Sequence, residues 1–146
     1  MATRILVVED DPMNAKLFQL ILTRSAQYEV EVTEDPSHVR VQVVNGAVDL
    51  IIMDVSLSNS TWDGVAVDGL EICRRLRADA GTRHIPILLA TAHAMKGSRE
   101  RFLQDSGADD YISKPFDPQE LKVRLRTGRR ILDLQAELLA ARESIF

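Results

Sequence analysis

Five short apolar runs, each followed by a stretch with helical spacing, constrain this chain more than any other feature. The runs cover residues 5–8, 30–32, 50–53, 85–90 and 111–112. The first, third and fourth are continuously apolar, the pattern of strands covered on both faces. Apolar residues recur at helical spacing in 14–25 (Leu17, Leu20, Ile21), 37–45 (Val39, Val43, Val44), 70–78 (Ile72, Cys73, Leu76) and 96–106 (Phe102, Leu103). A fifth helical segment begins after Pro118 and runs long. Strand and helix alternate five times, which predicts a parallel sheet with helices on both faces and right-handed crossovers. In such sheets the functional crevice lies outside the carboxyl ends of the strands.

The residues just past those ends are Glu9, Asp10 and Asp11 after the first run, Asp54 after the third, Thr91 after the fourth, and Lys114 with Pro115 beyond the fifth. Carboxylates gathered at one sheet edge repel one another and need a compensating cation. All-oxygen ligands with open positions suit Mg²⁺, with Asp10 and Asp54 as direct ligands and Glu9 acting through water. Lys114 supplies a second, fixed positive charge. A carboxylate such as Asp54 is also a nucleophile toward phosphorus, forming an acyl phosphate. The transfer needs positioning and charge neutralisation, which the cation, the Lys114 ammonium, the Thr91 hydroxyl and backbone N–H groups can share.

Charge and cysteine usage exclude several classes. The 18 basic residues against 22 acidic ones leave a net charge of −4, no field to draw in nucleic acid or an anionic membrane. Cys73 is the only cysteine, so neither an intrachain disulfide nor a cysteine zinc site is available. Acid follows the first apolar run too soon for a signal-peptide core, and no run approaches the roughly 18 residues that span a bilayer. A soluble protein of the reducing cytoplasm is expected.

Five motifs in order carry a family resemblance: Ile5-Leu6-Val7-Val8-Glu9-Asp10-Asp11, Asp54 after its strand, Asp68-Gly69-Leu70-Glu71, Ala90-Thr91-Ala92 and Ser113-Lys114-Pro115-Phe116. Over about residues 3 to 127 the chain resembles the receiver domain of two-component response regulators, the CheY-like superfamily. The resemblance implies an α/β, flavodoxin-like three-layer sandwich: a five-stranded parallel sheet of order 2-1-3-4-5 with five helices, the last extended. It implies Asp54 as phosphoacceptor, Glu9 and Asp10 as the acidic pair, and the Ser56 backbone carbonyl as third protein ligand to Mg²⁺. Thr91 and Tyr111 match the family's switch pair, and Lys114 its phosphate-sensing lysine, before what is often a cis-proline. A sensor histidine kinase or histidine phosphotransfer protein would supply the phosphoryl group. Phosphorylation would then reshape the surface of the fourth helix, fifth strand and fifth helix for an effector protein or a fused output domain.

Two stretches depart from the family pattern. Position 58, four residues past Asp54 and usually proline, is serine, and residues 58–67 make an insertion of about seven residues within the stretch from Ser56 to Gly69, which is expected as an exposed loop. Lying over the phosphorylation site, it would serve as a lid, a docking element anchored by Trp62, or a tolerated surface loop. Residues 1–127 are thus expected as receiver and 128–146 as a helical, linker-like extension, with Gly128 a weak point. Ile131, Leu134, Leu138, Ala141 and Ile145 repeat at steps of three and four, a heptad seam that predicts a homodimer through this helix and the receiver face. The chain is then either a fragment of a longer regulator or acts through partners.

Other readings meet the same residues. Asp11 suits a helix N-cap before Pro12, Gly107 a C-cap, and Cys73 an apolar helix face. His38, His84 and His93 read as surface residues. A flavin carrier of this fold fails because its phosphate would meet Glu9, Asp10 and Asp11. A haloacid-type phosphohydrolase needs a second acid where Ser56 stands. The remaining alternative is a receiver-like interaction module that needs no phosphorylation.

Overall fold

The computed structural model describes residues 2–58, 60–92 and 99–144; His93, Lys96 and Ile145 lie outside them, as does the side chain of Phe102. In chain order the elements are β1 (Thr3–Val8), α1 (Pro12–Thr23), β2 (Tyr28–Thr33), α2 (Pro36–Val44), β3 (Leu50–Asp54), β4 (Thr61–Trp62), β5 (Val65–Ala66), α3 (Gly69–Ala78), β6 (Ile87–Thr91), α4 (Arg99–Ser106), β7 (Asp110–Ser113) and α5 (Pro118–Ser144). Five strands form one parallel sheet of order β2-β1-β3-β6-β7. With the small β4–β5 pair set aside, this is the expected 2-1-3-4-5.

Side-chain alternation along the strands sorts the core into two layers. Leu6, Val8, Ile51, Met53 and Leu89 face α2 and α3, where Val39, Val43, Ile72 and Cys73 cover them. Ile5, Val7, Leu50, Ile52 and Leu88 face α1 and α5, against Phe18, Leu22, Leu121 and Leu125. Phe18 stacks on Phe116 with ring centroids 4.4 Å apart. Each fully buried leucine or isoleucine here contributes about 1.5–3 kcal/mol relative to exposure. Continuous apolar strands are therefore the only ones that this sheet's centre accepts.

Element boundaries follow local chemistry. Asp11 and Asp35 cap α1 and α2, accepting from the backbone N–H of Met13 and Ser37, each with proline at the first helical position. Both helices therefore start earlier than the apolar spacing suggests. β6 begins at Ile87 because Pro86 has no N–H to donate; its carbonyl instead accepts from Ile51. Gly107, at φ +78°, closes α4 by donating to the Leu103 carbonyl.

Two expectations are corrected. The insertion is not a plain loop: β4 and β5 pair antiparallel around Asp63 and Gly64, both at positive φ (52° and 82°), as a tight hairpin turn demands. Leu57 and Val67 root it in the core, and Ser60 donates from its hydroxyl to the Glu34 carbonyl. The half-buried Trp62 ring lies beside the guanidinium groups of Arg40 and Arg75, each 5.9 Å from its centroid. The hairpin thus leans on α2 and α3 and reaches the acidic end of the sheet at its root. Gly128 is not a weak point either: a Cβ there would lie 2.1 Å from Leu50 Cδ1, so the glycine lets α5 press against the start of β3.

α5 runs 27 residues and stays attached past the sheet through Gln135, whose side-chain amide donates to the His84 carbonyl at 2.9 Å. Along the seam Ile131 is half-buried, whereas Leu134 and Leu138 are 51% and 70% exposed. Among the described residues no helix is long and apolar enough to cross a membrane.

Candidate functional site

Parallel register brings the ends of β1, β3, β6 and β7 to one edge. Val8 pairs with Met53, Asp54 with Ala90, and Thr91 with Ser113. Glu9 and Asp10 therefore emerge beside Asp54, and Lys114 beside Thr91, whose carbonyl accepts from the Lys114 backbone N–H at 2.7 Å. Gly69 completes the floor. Its N–H donates to the Val55 carbonyl, and a Cβ there would sit 1.9 Å from the Asp54 carbonyl oxygen. No other residue lets α3 start so close to the end of β3.

Glu9 and Asp54 are each 3% exposed. Lys114 Nζ bridges them, donating to Asp54 Oδ1 at 2.9 Å and Glu9 Oε2 at 3.1 Å. Glu9 also accepts from the Asp11 backbone N–H through Oε1, and Asp54 Oδ1 from the Ser56 backbone N–H. Asp10 is held from the other side, where the Ser58 backbone N–H and hydroxyl both reach its Oδ2 at 3.0 Å.

One ammonium bridges two buried carboxylates, and the imbalance shows in Glu9. Burial, then the charge of Asp54, pushes its carboxyl up to about 7 against the pull of Lys114. For Lys114 burial works downward, but bonds to Asp54 and Glu9 and their charges hold the ammonium above the ordinary lysine value. One oxygen from each of Glu9, Asp10 and Asp54 lies within 4.8 Å of the others. This all-oxygen donor set, short of positive charge, fits a small hard dication better than a soft metal or an organic cofactor.

Of the residues singled out from the sequence, Glu9, Asp10, Asp54 and Lys114 come together directly. Ser56 joins them through its N–H. Thr91 is buried at the end of β6, one residue beyond the partner of Asp54, and Tyr111 is half-buried against the α2–α3 side of the core. The Lys114–Pro115 peptide is cis. Ser58, noted in the sequence only as a departure from proline, is the contact that escaped notice. Two clefts of about 600 Å³ each border Thr3, Leu50 and Arg129 in one case and His84, Gln135 and Leu138 in the other; neither borders the acidic residues.

The chain as a whole is similar to known proteins. Residues 5–126 match the family model for the response regulator receiver domain. The chain is 38% identical over 141 residues to the DNA-binding response regulator MtrA of Mycolicibacterium smegmatis, covering 96% of this chain and 57% of MtrA. It is also 38% identical over 132 residues to the DNA-binding dual master transcriptional regulator RpaA of Synechocystis, covering 89% of this chain and 50% of that protein. The chain thus spans about half the length of these curated relatives. Among solved structures, the receiver domain of sensor histidine kinase PA1611 from Pseudomonas aeruginosa, with a magnesium ion in its active-site cleft, superposes with a TM-score of 0.68 at 34% identity. That match covers 90% of this chain and 98% of the other. A match of this length, on a chain with this strand order, makes the protein a member of the response regulator receiver domain family.

Proposed function

We propose that this domain receives a phosphoryl group on Asp54 from a sensor histidine kinase or a histidine phosphotransfer protein, with Mg²⁺ as cofactor. The observation that carries the reading is Lys114 Nζ, which bridges Asp54 and Glu9 from the far end of the sheet. Glu9, Asp10 and Asp54 would hold the ion together with the backbone carbonyl of Ser56, and the magnesium in the cleft of the related receiver supports that assignment. When bound, the ion neutralises charge on the phosphoryl oxygens. An oxygen of Asp54 attacks phosphorus, the P–N bond to the donor histidine breaks, and its electron pair returns to the imidazole. Lys114 then exchanges its bond to Asp54 for one to a phosphoryl oxygen, and Thr91 donates its hydroxyl to another.

Output follows from those two donors. The acyl phosphate adds up to about two negative charges and three acceptor oxygens at Asp54. Drawing Thr91 and Lys114 inward moves the ends of β6 and β7, and Tyr111 turns toward the space Thr91 leaves. The α4–β7–α5 surface thereby shifts between two packings, and a partner or a fused output domain reads the difference. We assign residues 1–127 to this receiver and 128–146 to a helical extension through which two copies pair, in the cytoplasm, without direct contact to nucleic acid or membrane. Incubation with acetyl phosphate and Mg²⁺, followed by intact-mass measurement, tests the reading. Wild type gains one phosphoryl group and Asp54→Ala gains none; no gain in either protein overturns it.

A further inference from the structure

Asp10 and Ser58 lie 48 residues apart in sequence, yet Ser58 is the residue that fixes the Asp10 carboxylate. Its backbone N–H and its hydroxyl both donate to Oδ2 at 3.0 Å. Two donors occupy both lone pairs of that oxygen, so the carboxylate keeps one orientation and one oxygen, Oδ1, for any further ligand. Proline at this position would provide neither donor. The insertion changes the site itself as well as its surroundings.

Ser58 is also the root of the β4–β5 hairpin. Leu57, just before the inserted segment, and Val67, its last residue, are buried, so the segment rises from two fixed points. Val67 donates its N–H to the Ser60 carbonyl at 3.0 Å, Ser60 is tied to Glu34, and Trp62 lies beside Arg40 and Arg75. Ser58 and Trp62 stand four residues apart in this segment, the one on Asp10 and the other beside α2 and α3.

We infer that Ser58 is a positioning residue for Asp10, holding it for single-oxygen ligation of Mg²⁺ and coupling occupancy of the metal site to the β4–β5 hairpin. The inference rests on the magnesium-dependent reading above and adds to it a residue and a mechanical link. Partners that fix a metal-ligating carboxylate are worth about 10–100-fold in metal affinity.

Calorimetric Mg²⁺ titration of the full, unphosphorylated chain, with Trp62 emission followed in parallel, tests both parts. Trp62 is the only tryptophan, so the optical signal has one source. Wild type binds Mg²⁺ with a change in Trp62 emission. Ser58→Pro weakens binding roughly tenfold or more and loses the emission change; Ser58→Ala, which keeps the backbone donor, weakens it several-fold; Ser58→Thr restores the wild-type response. Should Ser58→Pro fail to fold, the Ala and Thr pair decides the outcome. Mg²⁺ affinity unchanged across the folded variants overturns the positioning role, and wild-type binding with a silent Trp62 overturns the coupling. No Mg²⁺ binding by wild type overturns the underlying reading, a result distinct from either.

Discussion

Glu9 has almost no contact with water, and its nearest charged neighbours are one carboxylate and one ammonium. Its carboxyl sits near 7 against an ordinary 4.5, raised first by burial and then by Asp54. The folded protein therefore holds a proton through a pH range in which the unfolded chain has lost it. Stability from this group is fully present below about pH 4.5 and is lost as pH rises through 7. In EDTA, urea midpoints measured from pH 5 to 8 should fall more steeply for wild type than for Glu9→Gln, and the variant should be the more stable protein at pH 8. Equal slopes would show that Glu9 does not hold the proton. Gly69 makes a steric counterpart. Alanine there drives a methyl group into the Asp54 carbonyl, so Gly69→Ala should cost about 2 kcal/mol or more in urea unfolding and slow acyl-phosphate formation by displacing Asp54. Wild-type values for both would refute the close approach. Strand-end carboxylates were legible in the sequence because each directly follows an apolar run that can only be a buried strand. Ser58 was not, because its partner is brought to it only when β1 and β3 pair.

At the scale of elements, the hairpin is the addition that most distinguishes this receiver. Its strands have two residues each, too short for alternation to register, so only the Asp63-Gly64 pair announced it. Reading that stretch for its serine, asparagine and threonine content hid a turn whose residues both need positive φ. The longer elements were easier, since periodicity survives over nine or more residues in α1, α2 and α3 and the caps of α1 and α2 lie in Asp-Pro pairs. The turn makes its own prediction. Valine at position 64 cannot take φ of +82° without a steric cost of about 1–2 kcal/mol. Gly64→Val should therefore open the hairpin while leaving the five-stranded sheet intact. Trp62 emission should shift to longer wavelength and become more accessible to iodide, with the far-ultraviolet circular dichroism almost unchanged. Unaltered quenching would mean that the turn does not hold Trp62 on α2 and α3.

For the whole molecule, α5 sets the reach. At about 1.5 Å per residue its 27 residues extend roughly 40 Å. Leu121, Leu125 and Gly128 bind its first half to the sheet, and Gln135 holds it to His84. The strand order was legible because alternating buried strands and helices leave few topologies, and the five motifs selected among them. How far the helix stays docked was not, since that depends on a glycine whose close contact with Leu50 no local pattern encodes. On the outer face of the helix, Leu134 and Leu138 stand one heptad-type step apart and well exposed, on a stripe with Ile131 and Ala141. Glu137 and Arg142 flank that stripe with the five-residue offset at which two parallel helices form ion pairs across a seam. A seam of little more than two heptads binds weakly, so self-association should depend on concentration in sedimentation velocity and strengthen with phosphorylation if the α4–β7–α5 face contributes. Leu134→Glu with Leu138→Glu should give a monomer at every concentration, yet unfold at the wild-type monomer's midpoint, because both side chains already face water. A wild type that stays monomeric up to millimolar concentration would remove α5 from the dimer. The helix would then be a rigid arm, transmitting the state of Asp54 along its axis to whatever the arm touches.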